Sequence, residues 1–234
     1  MTWSVVARDP ATGEIGIAVA TRFFAVGALC PHVRPGAGAV ATQALINPLH
    51  GIDGLELMGR GVPAAEALAA LLARDAGREV RQVHLMDATG RFAAHTGKNC
   101  VDWAGHLVFA DFSVAGNMLA GAKVIEETAR VFAATRGKPL AERFLDAFDA
   151  GEAAGGDKRG RQSAAMRIHS RDEFADLDIR VDDHETPLPE LRRLYHKSKE
   201  RFASFRTFLA SRENPAGEWD RAKIDAALAA AGAK

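Results

Sequence analysis

Short apolar runs separated by turn residues dominate the first half of the chain and recur near residue 170. In residues 176–182 apolar and charged side chains alternate strictly, which is typical of a strand with one buried face. Residues 9–13 place Asp-Pro and Thr-Gly between the first two runs, and residues 87–90 form a similar turn, so two β-hairpins are predicted. The predicted strands are residues 2–8, 14–21, 39–45, 81–86, 91–96, 107–112, 162–168 and 176–182.

Apolar residues recur at helical spacing in the segments between these strands. Val124, Ile125, Thr128 and Val131 share one face of such a segment, and Gly137 ends it. Prolines open several of the helices, where a missing N–H does no harm. The predicted helices are residues 51–60, 63–74, 121–135, 139–150, 187–211 and 218–231.

The order of these elements predicts the architecture. Groups of strands alternate with pairs of helices, so a doubly wound parallel sheet is disfavoured and an α+β fold of two sheets, each covered by a helix pair, is favoured. Residues 1–212 are predicted to form one domain. Residues 213–234 are predicted to be a short helical tail that either caps the main body or makes a dimer contact.

Composition narrows the classes of partner. The 234 residues are 47% hydrophobic, and 30 basic side chains balance 30 acidic ones, which removes the electrostatic signature of nucleic-acid or anionic-membrane binding. The two cysteines, Cys30 and Cys100, form no CxxC pair, so neither a disulfide framework nor structural zinc is indicated. The first residues lack the apolar stretch of a signal peptide, and a cytoplasmic protein is expected.

One glycine motif resembles a dinucleotide fingerprint. Residues 36–41 match GxGxxA, and Glu56 follows at the expected distance. The fingerprint requires a strand before it and a helix after it, whereas Pro35 precedes it and Pro48 blocks a helix. A tight turn into a strand is therefore favoured. The acidic stretch Asp182-Asp183-His184 is similarly interpreted as a polar strand end rather than a metal site.

Thr2 stands directly before the first strand. Removal of Met1 would give this residue a free α-amine beside its own hydroxyl. Such an amine has a pKa of roughly 7.7–8.0 and can act as the base for the hydroxyl. The alternative is a β-branched residue that simply starts a strand.

Two further segments carry candidate chemistry. Residues 155–160 form a glycine-rich loop in which Asp157 and Arg159 are suited to hold charged groups of a ligand, although a solvated loop with an ion pair is the alternative. Residues 113–117 place Asn117 after a predicted strand, where its amide is a candidate oxyanion donor or the start of a helix.

Taken together, these segments resemble a bacterial family known as domain of unknown function 1028, grouped with the N-terminal nucleophile (Ntn) hydrolases. The resemblance spans roughly residues 2–195. It rests on residues 2–10, 16–27, 38–44, 81–82, 95–97, 116–117, 155–164 and 180–184.

The resemblance implies a four-layer αββα sandwich of Ntn-hydrolase type with a C-terminal helical extension, and Thr2 as the nucleophile. Residues 42–44 match the stretch that supplies an oxyanion-hole amide in proteasome-like relatives. Those relatives usually place a lysine near the nucleophile, and here Arg22 or Arg34 is nearest in order.

The resulting hypothesis is a hydrolase that cleaves an amide bond in a small polar substrate after Met1 is removed. The alternative is a non-catalytic metabolite-binding protein on the same fold. We expect no cofactor and no metal, and we expect a homodimer. The predicted catalytic residues are Thr2, Gln43 and Asn117, and the predicted substrate-binding residues are Arg22, Thr42, Asp157 and Arg159.

Overall fold

Two antiparallel β-sheets form the centre of the computed structural model, which describes residues 2–232. The strands are β1 Thr2–Arg8, β2 Ile15–Thr21, β3 Pro31–Arg34, β4 Gly38–Ala44, β5 Arg81–Asp87, β6 Phe92–Thr96, β7 Trp103–Val108, β8 Phe112–Leu119, β9 Ser163–His169 and β10 Leu177–Val181. The larger sheet has the order β10-β9-β2-β1-β8-β7, and the smaller has the order β3-β4-β5-β6.

Helices lie between and after these strands. They are α1 Leu49–Gly59, α2 Ala64–Arg74, α3 Lys123–Ala134, α4 Leu140–Ala153, α5 Pro187–Glu200, α6 Phe202–Phe205 and α7 Arg221–Ala230. Within residues 2–232, no helix has the length and apolar character needed to cross a membrane.

Strand β1 is central in the larger sheet and sets the position of Thr2. It pairs with β2 as the predicted hairpin, and its other edge pairs with β8. In this register Thr2 lies opposite Thr21 on one side and opposite Asn117 on the other. The first strand therefore begins with its threonine held between two polar neighbours.

The two faces of β1 are buried in different layers. Trp3, Val5 and Ala7 join the apolar core beneath α3 and α4. Val6 faces the second sheet, and by strand alternation Thr2 and Ser4 share that face.

Each sheet carries helices on its outer face. Phe132 of α3 and Phe144 of α4 are fully buried against the larger sheet. Leu68 and Leu71 of α2 pack on the smaller sheet together with Val40. The layers thus run helices, sheet, sheet, helices, and the predicted helices 63–74 and 121–135 do cover opposite outer faces.

The strand prediction is wrong in three places. The strand β3 was missed because its four residues lie between turn residues and show no extended pattern. The predicted strand 107–112 spans the turn between β7 and β8, which is closed by a hydrogen bond of 2.9 Å from Phe109 N to Phe112 O. This turn contains no glycine or proline, so the sequence gives no sign of it. Residues 113–117 therefore lie within β8 and do not follow a strand.

The predicted helix 187–211 ends earlier, at Glu200. Arg201 departs from helical geometry, and the short helix α6 follows. The tail folds back on this segment, since Glu218 N donates to Phe208 O over 2.9 Å. Ile224 and Leu228 are the buried residues of α7. The structure thus shows the tail against the main body, while the domain boundary at residue 212 stays a prediction.

The GxGxxA segment is the turn that joins β3 to β4. Gly36 and Gly38 both have positive φ, at 77° and 135°. A Cβ on Gly38 would stand 1.9 Å from the carbonyl oxygen of Met86, whereas one on Gly36 would meet nothing within 4 Å. Gly36 thus permits a left-handed turn and Gly38 a close approach of backbone, and the predicted tight turn into a strand is present.

This contrast predicts different costs for two matched substitutions. Gly36→Ala should lower the free energy of unfolding by about 1–2 kcal/mol, the cost of a left-handed alanine. Gly38→Ala should cost more than about 3 kcal/mol, because strain and a backbone clash add. Urea unfolding of both variants measures this, and equal costs would contradict the turn geometry.

Candidate active site

One end of the layer between the two sheets is polar and the other end is apolar. Ile17, Val19 and Ala41 belong to the apolar part. The polar part lies around Thr2 and contains uncharged side chains from both sheets, all of them buried. They are Thr2, Ser4, Thr21, Gln43, Gln82, His84, Ser113 and Asn117.

The Thr2 side chain is positioned by its strand neighbours. Its hydroxyl donates to Thr21 Oγ1 over 3.1 Å, and only 8% of the residue is exposed. Its carbonyl oxygen accepts long hydrogen bonds of 3.4 Å from Gln43 Nε2 and Asn117 Nδ2. Thr2 is therefore held by both sheets.

Three buried carboxamides connect the sheets. Gln82 Oε1 accepts from Gln43 Nε2 over 2.8 Å and from Asn117 Nδ2 over 3.0 Å. Gln82 Nε2 donates to Gly116 O over 2.9 Å, which ties β5 to β8. The three side chains are between 0% and 2% exposed, so each needs these partners.

A neutral histidine continues the network. Ser4 Oγ donates to Gln43 Oε1 over 2.7 Å, so at its 2.7 Å contact with His84 the hydroxyl oxygen accepts from Nε2. Ser113 Oγ, 2.8 Å from His84 Nδ1, then donates to that nitrogen. Complete burial, with a smaller effect of His106, lowers the pKa of His84 to about 3. The network is therefore uncharged at neutral pH.

These contacts decide which groups are able to stabilise an oxyanion. Both amide hydrogens of Asn117 go to Thr2 O and Gln82 Oε1, and those of Gln43 are shared among Thr2 O, Gln82 Oε1 and Ala115 O. The predicted side-chain donor at Asn117 is thus already committed within the protein. Gln43 and Asn117 act in the structure as supports of Thr2.

The backbone amides of β4 are a second kind of donor near Thr2. Leu45 N donates to Val80 O beside β5, and Thr42 N donates to Cys30 O on the β3 side. Since neighbouring amides of a strand alternate in direction, the N–H of Ala44 faces the β3 side, beyond the point where β3 begins. Ala44 also lines the cavity next to Thr2.

That cavity, the nucleophile cavity, has a volume of about 230 Å³. Thr2, Gln43 and Arg159 supply its polar side chains. Its remaining side chains are apolar and come from Phe23, Val26, Leu29, Cys30, Ala44, Leu45, Ile46 and Met118. Burial raises the pKa of the Cys30 thiol to about 12, so this wall is uncharged as well.

The glycine-rich loop lies against the strand end next to Thr2. Arg22 directly follows Thr21, and its backbone N–H donates to Asp157 Oδ2 over 2.7 Å. Asp157 also forms an isolated antiparallel β-bridge with Leu119. Arg159 lines the nucleophile cavity, and Arg22 Nη1 donates to the Arg159 carbonyl over 2.5 Å. The loop thus reaches the site, although the Asp157 carboxylate is 1% exposed and binds protein groups.

Thr42 lies away from this site. The alternation of β4 directs Gln43 into the layer between the sheets and Thr42 toward the helices. The Thr42 hydroxyl donates to Asn47 O over 3.0 Å. It therefore supports the turn after β4 and does not contact the cavity, so the prediction that it binds substrate directly is not supported by its position.

Backbone strain concentrates at the nucleophile cavity. Ala44 and Met118 line it in left-handed conformations, with φ of 70° and 55°, and Ala25 next to Val26 has φ of 51°. Of residues 2–232, Asp102 alone among the other non-glycine residues has positive φ. Such strain costs of order 1–3 kcal/mol per residue and is typical of functional sites.

The sequence-based reasoning missed several residues of this site. Gln82 and His84 were assigned only to a strand, although a polar residue on the inward face of a buried strand is a detectable signal. Thr21 was missed for the same reason. Ala44 lies within the stretch 42–44 that the family resemblance indicates, but the choice among its amides depends on backbone direction, which has no signal in the sequence. Within residues 2–232, no group of three or more His, Cys, Asp or Glu side chains is placed to hold a metal ion.

The geometry defines an α+β protein of two antiparallel sheets with a buried threonine hydroxyl at a strained cavity. The chain belongs to the family of unknown function DUF1028, whose model matches residues 2–191. A crystal structure of a DUF1028 protein from Silicibacter pomeroyi is similar, with a TM-score of 0.87 and 31% identity over 94% of this chain and 96% of that one.

Other solved structures resemble the chain only distantly. Anbu, the ancestral beta-subunit, from Yersinia bercovieri has a TM-score of 0.41 at 13% identity, covering 89% of this chain and 98% of that one. A Gly-1 mutant of Anbu from Hyphomicrobium sp. strain MC1 gives 0.41 at 14% identity, covering 85% and 94%. No curated protein matches.

The neutral state of His84 predicts a pH dependence of stability. The folded chain keeps His84 unprotonated down to a pKa of about 3, whereas the unfolded chain protonates it near 6.5. Its contribution is therefore complete above about pH 6.5 and is lost as the pH falls toward 3, by about 1.4 kcal/mol per pH unit.

Urea unfolding at pH 7 and pH 4.5 measures this effect. The loss of stability between the two pH values should be smaller by about 2–3 kcal/mol in His84→Gln than in the wild type. His196→Gln, which changes an exposed histidine, should behave as the wild type. A loss of equal size in all three proteins would contradict the assignment.

Proposed function

We propose that this chain is an Ntn-type hydrolase that cleaves an amide bond, with Thr2 as its nucleophile after removal of Met1. One observation carries the proposal: Thr2 borders a cavity, its hydroxyl is bonded by Thr21 of the larger sheet, and its carbonyl oxygen is bonded by Gln43 of the smaller sheet. The order of helices and sheets agrees with the αββα sandwich that the family resemblance implies.

The chemistry requires only one residue and its own backbone. A free α-amine on Thr2 with a pKa near about 8 takes the hydroxyl proton, directly or through one water, as the oxygen attacks the carbonyl carbon. The same amine returns the proton to the leaving nitrogen. Thr21 holds the Thr2 oxygen in place before attack, and the hydroxyl hydrogen rotates from Thr21 to the amine as the reaction begins.

The N–H of Ala44 supports the tetrahedral intermediate in this mechanism. A backbone donor is fixed before the reaction begins, so it stabilises the developing charge without reorganisation, and such a donor contributes about 2.7–4 kcal/mol. Ala44 adopts a strained left-handed conformation, and this strain accompanies the turn of the end of β4 toward the cavity.

The cavity walls limit the substrate. We assign to Val26, Leu29 and Ile46 an apolar part of the acyl group, and to Arg159, which lines the same cavity, a polar or anionic end. We therefore propose a small amide whose acyl half combines both features. Arg22 and Asp157 support the loop that carries Arg159.

Binding of a metabolite without cleavage is the second candidate function. The observation that favours it is the apolar character of the cavity, which suits retention of a ligand as well as catalysis. In this case Thr2 would donate a hydrogen bond and form no covalent bond.

Substitution of Thr2 separates the two functions. Thr2→Ala should lower turnover by at least about 10³-fold, because no other group replaces the nucleophile. The free energy of unfolding should change by only about 1 kcal/mol, since one hydrogen bond to Thr21 is lost. Thr2→Ser should keep part of the activity, because serine also carries a hydroxyl on the carbon next to the one that bears the α-amine.

The experiment uses protein whose intact mass proves that Met1 is absent, with p-nitrophenyl butyrate and butyryl-p-nitroanilide as probes. Release of nitrophenol and nitroaniline gives the rates, and peptide mass spectrometry locates the butyryl group. Thr12→Ala, which removes an exposed threonine hydroxyl in the β1–β2 turn, is the matched control and should behave as the wild type. Full turnover in Thr2→Ala would exclude the nucleophile, and binding without acylation would favour the second candidate.

A further inference from the structure

A second cavity adjoins the nucleophile cavity and shares a wall with it. Its volume is about 280 Å³, and the shared wall consists of Ala44, Leu45 and Met118. Two of these residues are the left-handed alanine and methionine at the ends of β4 and β8. The site therefore has two compartments separated by the segment that carries the proposed oxyanion donor.

The second cavity is uncharged. Val80, Asn99, Cys100, Val101 and Asn117 complete its lining, and none of these side chains is an acid or a base in the ordinary pH range apart from the Cys100 thiol, whose pKa is raised, chiefly by burial. Transfer of an ionised group into such a place is costly, while an apolar group gains from it.

Asn117 places the second cavity next to the nucleophile, since this residue lines the cavity and lies opposite Thr2 in the pairing of β1 with β8. The carboxamide oxygen of Asn117 is buried and accepts no hydrogen bond from any residue in the range 2–232. Its amide nitrogen is fixed by Thr2 O and Gln82 Oε1, so the carboxamide cannot rotate to exchange the two atoms without losing both bonds. Asn117 is therefore a fixed, uncharged boundary between Thr2 and the second cavity.

We infer that the second cavity binds the leaving half of the substrate, an uncharged apolar amine. This inference rests on the proposed function, because a leaving half exists only if Thr2 cleaves a bond. It assigns the acyl half to the nucleophile cavity and the amine half to the second cavity, on either side of Ala44. The substrate class is then an N-alkyl or N-aryl amide whose amine half carries no charge.

Microscopic reversibility supplies a test that needs no natural substrate. In the butyryl-enzyme, an amine bound in the second cavity attacks the ester carbonyl; the C–N bond forms, the C–O bond to Thr2 breaks, and the amine proton passes through the Thr2 α-amine to the Thr2 oxygen. The products are the N-butyryl amide and free enzyme, whereas attack by water gives butyrate.

The measured quantity is the ratio of amide to butyrate during turnover of p-nitrophenyl butyrate with butylamine or 4-aminobutyrate. These amines differ by a terminal carboxylate. The ratio should saturate with butylamine and exceed the ratio with 4-aminobutyrate by at least about tenfold at equal free-base concentration.

Two variants locate the effect. Val101→Trp fills the second cavity and should lower the butylamine ratio by at least about tenfold. The control is Val108→Trp on β7, which changes an exposed valine outside the cavity and should leave the ratio as in the wild type. Reversible benzylthiolation of Cys100 by benzyl methanethiosulfonate should act as Val101→Trp does, and Cys100→Ser should be insensitive to the reagent. Cys30 stays unmodified because it is fully buried.

The outcomes separate the two proposals. If Thr2 is acylated but the ratio rises linearly and equally with both amines, or Val101→Trp and the Cys100 adduct leave it unchanged, the second cavity does not bind the amine and the proposed function stands. If Thr2 is not acylated by the ester, the proposed function fails and the inference fails with it.

Discussion

The hydrogen bonds among Gln43, Gln82 and Asn117 are the constraint on which the candidate site depends. These carboxamides lie between two sheets, out of water, where an unpaired donor or acceptor costs roughly 1–3 kcal/mol. The amide hydrogens of Gln43 and Asn117 bond Gln82 Oε1 across the layer, and the three amides also donate to the backbone of β1 or β8. A shift of either sheet breaks several of these bonds at once, so the register of the sheets and the position of Thr2 are fixed together.

The absence of charge in this network has a consequence for the chemistry. His84 lies between two serine hydroxyls as a neutral ring, and Gln82 occupies the centre of the layer. Proton transfer in the proposed mechanism therefore belongs to the α-amine of Thr2, and the interior supplies orientation. Among the residues that line the nucleophile cavity the charged one is Arg159, on the glycine-rich loop, where Asp157 binds the backbone beside Thr21.

The strained ends of β4 and β8 connect the network to the cavities. Ala44 follows Gln43, and Met118 follows Asn117, so each left-handed residue comes directly after a carboxamide that is held in the layer. The buried amides stop the strands from relaxing and sustain the unfavourable conformations. As a result the chain forms a thin wall with one cavity on each side of it.

Local signals in the sequence determined much of the fold. The β1–β2 hairpin follows from Asp-Pro and Thr-Gly between two apolar runs, and the helices follow from their periodicity and prolines, because these signals act over about ten residues. Local chemistry also indicated Thr2, Asp157 and Arg159 as candidate site residues.

Only the tertiary structure decided which hydrogen-bonding atoms remain available to a ligand. The partners of Gln43 and Asn117 lie 39 and 35 positions away, at Gln82, and Asn117 reaches Thr2 across 115 positions. Whether an amide supports a neighbour or binds a substrate depends on such distant partners, since a donor hydrogen that is used within the protein is lost to a ligand.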